Sequence, residues 1–155
     1  MTTSRVPAAV AALLEILRAA PGLSEVLVVD GPPAVNMSER LRIYVGWQPG
    51  GEAAVNLAQE FAGAGARRRD EDFTITCYAE SRAGDKDMAL QRNRVFELVA
   101  EVETALRATD AAPTAPTLGG AVLWAHLTAG DLMQEQGPDG ALAGLAFTVS
   151  CRARL

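Results

Sequence analysis

The chain has 155 residues, of which 49% are hydrophobic but only 5% aromatic, and a formal charge of −5. One domain of this size buries roughly two thirds of the surface its unfolded chain exposes, so it can fold without a metal or a disulfide, with Ala, Val and Leu filling the core. The acidic balance argues against a general binder of nucleic acid or of anionic membrane.

Ser4 is placed to cap a first helix, Pro7 is tolerated in its first turn, and Val6, Val10, Leu13, Leu14 and Leu17 recur at helical spacing before Pro21-Gly22 ends it. Residues 25–29 form a short apolar run that reads as a strand, stopped by Pro32-Pro33. Leu41, Ile43, Val45 and Trp47 then alternate with polar or small residues as a half-buried strand does, up to Pro49-Gly50-Gly51. From 52 to 66 Val55, Leu57 and Phe61 are scattered without a clean period, so 49–66 is expected to be a long, variable loop.

Arg67-Arg68-Arg69-Asp70-Glu71-Asp72 leads into the most regular alternation of the chain, with Phe73, Ile75, Cys77 and Ala79 on one face. Gly84-Asp85 turns the chain, and Asp85 is expected to cap a second helix whose buried stripe is Met88, Val95, Val99, Val102 and Leu106. After a proline-rich connector, 122–136 and 141–154 read as two long strands joined by Gly137-Pro138-Asp139-Gly140, a turn sequence suited to a hairpin. Arms of this length span roughly 40 Å at about 3.3 Å per residue, and the surplus over what a small domain needs is read as a surface for partners. The expected fold is therefore α+β: one domain over 1–155, an antiparallel sheet of four to five strands, two helices on one face, and a long C-terminal hairpin.

Few residues suggest chemistry. His126 is the single histidine, sits beside Trp124 on a predicted strand, and has no Cys or carboxylate at metal-ligand spacing. A triad of His126, Asp131 and Ser150 lacks any Gly-x-Ser-x-Gly setting. The glycines of 49–66 lack the strand, turn and helix context of a phosphate cradle. Asp85 and Asp87 lack the later Glu of a calcium loop. Cys77 and Cys151 fall at inward strand positions, where a free Cys acts as a small apolar residue. No catalytic, cofactor or metal site is expected, and neither a membrane-spanning segment nor an export signal is read from the sequence.

Two features point to assembly instead. Three cations followed by three anions in Arg67, Arg68, Arg69, Asp70, Glu71 and Asp72 form a run that is self-complementary between identical subunits, although it also suits a solvated strand entrance. Val122, Trp124, His126 and Thr128 alternate with Leu123, Ala125, Leu127 and Ala129, so both faces of that strand are apolar while two helices can cover only one. The helix-free face is expected to need cover from another chain, with Trp124 and His126 in the contact.

The order of elements, the strand Arg69-Asp70-Glu71-Asp72-Phe73-Thr74-Ile75-Thr76, the Gly84-Asp85 helix start, and Leu118-Gly119-Gly120-Ala121-Val122-Leu123 before the hairpin resemble the tail terminator proteins of long-tailed bacteriophages and their prophage or gene-transfer-particle relatives. The resemblance spans nearly the whole chain. It implies a structural virion protein without catalytic residues: a homohexameric ring that caps the tail tube, stops its polymerisation and joins the head-side connector or stopper protein. The partners implied are the chain itself, the tail tube protein and that connector, with DNA passing through the ring unread. The location implied is the head-proximal end of the tail, after assembly in the host cytoplasm. Two other readings stay open, a head-closure or neck protein and, from a different class, a small ligand-binding or enzymatic α+β domain with a pocket under 49–66.

Overall fold

The computed structural model describes residues 2–34, 37–65 and 67–155. Helix α1 (Val6–Ala19) is followed by a single 3-10 turn (Pro21–Leu23), strands β1 (Leu27–Asp30), β2 (Leu41–Val45), β3 (Val55–Phe61) and β4 (Arg69–Arg82), helix α2 (Met88–Ala105), a second 3-10 segment (Ala115–Gly120), and strands β5 (Trp124–Gly137) and β6 (Gly140–Arg154). The strands form one sheet in the order β1-β2-β4-β6-β5, with β3 also on β4. Strand β4 organises it. One edge of β4 pairs with β6 over thirteen consecutive positions, Asp70↔Arg154 to Arg82↔Leu142. The other edge is shared, with β3 against 69–75 and β2 against 77–81.

Odd-numbered positions of β4 and β6, including Ile75, Cys77, Phe147 and Val149, face Leu13, Leu14 and Leu17 of α1 and Val95, Leu98, Val99 and Val102 of α2 in one buried cluster. Both helices therefore lie on the same face, and their apolar stripes fall at the spacing that a packed helix requires. The even-numbered side of the sheet carries a smaller cluster of Tyr44, Tyr78 and Ala146 with Trp47 and Met133 at its margin. Trp47 meets the ring of Tyr44 edge-on at 4.9 Å and that of Tyr78 at 5.8 Å, an arrangement favoured by the aromatic quadrupole.

Five sequence expectations are corrected. The expected loop at 49–66 contains β3, which makes the sheet six-stranded; its outer edge is open and most of its residues are exposed, so no burial constraint imposed an apolar alternation. β1 pairs with β2 in parallel, so the sheet is not wholly antiparallel. The cap of α2 is Asp87, whose carboxylate accepts from the Leu90 N–H at 3.1 Å; Asp85 stands one step back and accepts from the Asp87 N–H. Of the two arms of the C-terminal hairpin only β5 keeps a free edge, because β6 is paired on both sides and lies inside the sheet. The helix-free face is not broadly apolar: apart from the Tyr44 cluster and Trp124 it carries Thr, Ser and ion pairs.

Cys77 and Cys151 are free thiols buried on the helix side. Burial pushes both thiols up to about 12, so neither forms thiolate near neutrality. A thiol reagent at pH 8 is expected to label neither residue in the native protein and both after denaturation. Labelling at the same rate in both states would contradict this packing.

Gly144 of β6 is a second constraint, since the Tyr78 hydroxyl occupies the place a Cβ would take. At Gly137, by contrast, a Cβ would meet nothing within 4 Å. Gly144→Ala is expected to destabilise the fold by about 1–3 kcal/mol, as overpacking of a close-packed site does, with Gly137→Ala much nearer neutral. Urea unfolding of the two variants measures the difference.

Candidate assembly surface

Strand alternation decides the fate of the charged run. Asp70 and Asp72 point to the helix-free face and Glu71 to the helix face. Asp70 is held by Arg154, with Nε at 2.7 Å and Nη2 at 3.2 Å on its two oxygens, and by Arg152 at 3.2 Å. Arg152 also reaches Asp72 at 3.3 Å. These Arg residues come from the neighbouring strand, at cross-strand or diagonal positions where opposite charges attract. The fully buried Glu71 accepts the Arg5 N–H at 2.8 Å and the Gln59 amide at 2.6 Å. Its negative charge thus sits at the start of α1, the end where the helix dipole favours an anion.

The three acids are consequently engaged within the chain. Among the cations, Arg69 donates to Gln59 at 2.9 Å, whereas Arg67 and Arg68 are exposed and have no ion-pair partner among the described residues. The run is therefore asymmetric: the two leading Arg are available to another chain, and the acids serve the fold.

Arg154 and, behind it, Arg152 hold the Asp70 carboxyl below its ordinary value. Burial pushes the Glu71 carboxyl up, but the hydrogen bonds from Gln59, Ser4 and Arg5 and the charge of Arg69 together keep it low. A carboxylate with a depressed folded pKa stabilises fully above the unfolded value, about 4, and loses that contribution as pH falls through the lower folded value. Asp70→Asn is therefore expected to unfold more easily than the wild type at pH 7, with the gap shrinking on acidification below pH 4. Urea midpoints at pH 7 and pH 3 test this; a constant gap would contradict the role given to the Arg pairs.

Trp124 and His126 lie together on the helix-free face, their rings 4.6 Å apart and nearly parallel at 13°. Beside them Thr128 shares hydrogen bonds with Ser150 at 2.8 Å and Thr148 at 3.0 Å. Ser150, although opposite His126 in the ladder, is thus paired with a hydroxyl. Among the described residues no three His, Cys, Asp or Glu side chains converge as metal ligands. A hollow of about 600 Å³ lies between α1, α2 and the 115–120 segment, lined largely by Ala, with Glu15, Glu101 and Arg107 among its walls; it is distant in the chain from 49–66.

The sequence reading missed the apolar surface that the fold exposes. Leu57 and Phe61 of β3 are 52% and 69% exposed, and Phe96 of α2 and Leu132 of β5 are 50% and 38% exposed. Phe96 and Leu132 line an open groove between α2 and β5 together with Leu127 and Gly130. A bulge between Leu127 and Ala129 resets the parity of β5, so that Leu132, two places beyond Gly130, shares the helix face with Leu127. Large apolar residues in the otherwise polar stretch 52–66 were the available signal for Leu57 and Phe61. Nothing in the sequence marks the bulge.

No protein-family model matches the chain, and no curated protein matches it. Among solved structures it is similar to a chain of the "Virion of native gene transfer agent (GTA) particle", with a TM-score of 0.66 and 12% identity, covering 99% of this chain and 100% of that one. At this identity the likeness is one of fold, and it runs end to end in both chains.

Proposed function

We propose that this protein is a structural subunit of a phage-like particle, and specifically a tail terminator: a ring, hexameric by analogy with the proteins it resembles, that occupies the growing end of the tail tube. The observation that carries the particle-subunit reading is the end-to-end fold likeness to a chain of a gene transfer agent virion, and the terminator role rests on the resemblance of the 69–76 strand, the Gly84-Asp85 helix start and the 118–123 segment to tail terminators. The exposed apolar residues add support, because Leu57 and Phe61 at one side of the sheet and Phe96 and Leu132 at the other leave two separate patches, as a head-to-tail contact between identical copies requires. No catalytic role is assigned.

The mechanism is occlusion. A ring that matches the last tube ring on one face satisfies the subunit-binding surface there, and a different opposite face offers the next tube subunit nothing equivalent. That second face would receive the head-side connector, and DNA would cross the lumen without being read. The particle, at the head-proximal end of the tail, is the proposed location.

Polymerising the tube protein of the same particle with increasing amounts of this chain tests the proposal. Tubes measured by electron microscopy are expected to shorten as the ratio rises, and lengths independent of the ratio would refute it. Co-sedimentation with isolated tails, as opposed to heads, separates the terminator from a head-closure protein.

A further inference from the structure

The sheet has three open edges, on β1, β3 and β5, and the two longer ones, of β3 and β5, fit each other. β3 pairs only with β4, and β5 only with β6. Because β3/β4, β4/β6 and β6/β5 are all antiparallel, β3 and β5 run in opposite directions. A copy related by simple rotation therefore brings its β5 antiparallel to β3, continuing the alternation. Unpaired strand edges are templates for such addition.

The outward groups can be assigned. The Thr76 N–H donates to the Ala54 carbonyl and the Ala62 N–H to the Arg68 carbonyl, each at 3.0 Å. These bonds bracket the β3–β4 ladder and fix its alternation. Asn56, Ala58 and Glu60 turn their main-chain groups toward β4, and Val55, Leu57, Gln59 and Phe61 turn theirs outward.

Length sets the register. A strand laid outside β3 reaches β1 at its lower end, because β1 flanks β2 alongside positions 77–80 of β4 while β3 flanks 69–75. Only about seven positions are open, the length of β3. On β5 the bulge interrupts the strand before Ala129, leaving 130–137 regular. Matching the two stretches places Leu132 near Phe61 on the same face, since Leu57 lies opposite Phe73 and Leu132 opposite Leu145, both core residues. It also brings Asp131 beside the turn that carries Arg67 and Arg68. Asp131, like those two Arg, is exposed and has no ion-pair partner among the described residues, so the charges are complementary.

We infer that β3 of one copy adds antiparallel to 130–137 of β5 in a second copy of this chain, with Arg67 and Arg68 against Asp131, and that repetition of this contact closes the ring. The inference rests on the ring reading above and names its subunit contact.

Native mass spectrometry of the full chain and its variants tests it, with circular dichroism to check folding. Leu57→Pro removes one outward N–H and one exposed apolar side chain but no bond to β4, as proline on a free edge allows; it is expected to lower the ring fraction at least tenfold. Asp131→Arg is expected to do the same, and so is Arg67→Asp with Arg68→Asp. Combining the three charge reversals is expected to restore the ring. Rings from Leu57→Pro or Asp131→Arg at wild-type yield, or a triple variant no better than its parents, would overturn the contact. Failure of the two readings is distinguishable. Rings that respond as expected but leave tube length unchanged remove the terminator function and keep the contact; capped tubes with a ring indifferent to these variants do the reverse. A wild-type monomer at tens of micromolar removes both.

Discussion

Every layer of the molecule meets at β4, fourteen residues of extended chain in which alternate side chains must satisfy opposite environments. Its odd positions build the floor on which α1 and α2 pack, and Glu71 within that set fixes the start of α1 through the Arg5 N–H. Its even positions carry Asp70 and Asp72 to Arg152 and Arg154, Thr76 to the hydroxyl-rich face, and Tyr78 into the aromatic cluster. A one-residue slip of β4 would exchange the two sets, putting carboxylates under the helices and Phe73, Ile75 and Cys77 in the polar layer. The register with β6 is thus specified from both sides of the sheet.

The same strand explains why the edges remain open. β6 occupies one side of β4 completely, and β5 follows β6 as the outer arm of the hairpin. On the other side β2 and β3 divide the length between them, and only β2 is covered by a further strand. Apart from the outer edge of the four-residue β1, the free main-chain groups therefore fall on β3 and β5, where Leu57, Phe61, Leu132 and the neighbouring Phe96 are exposed. Assembly would use what the fold cannot pair internally, and in that respect the proposed function follows from the strand order.

Legibility in the sequence tracked burial. Both helices, β2, β4 and the hairpin strands were readable because one side of each is packed, which forces a period of 3.6 or 2 on the apolar residues. β3 was not, since an edge strand exposed on both faces is under no such pressure. The hairpin was recognised from its turn and its alternation, but the place of β6 inside the sheet, with β5 at its end, depends on which strand β6 pairs with, a long-range fact that local pattern does not encode. The run from Arg67 to Asp72 was singled out as a candidate subunit contact, and its acids are bound within the chain by Arg152, Arg154 and the start of α1. Their partners lie 66 to 84 residues away in the chain, so spacing in the sequence could not reveal them.

The proposal that this chain closes tail tubes is tested most directly by imaging tubes assembled in its presence. Cryo-electron microscopy is expected to show an extra ring of density, built from equivalent copies of this fold, at one tip of each finished tube and nowhere along the shaft. Bare tips, or copies decorating the tube wall, would contradict it.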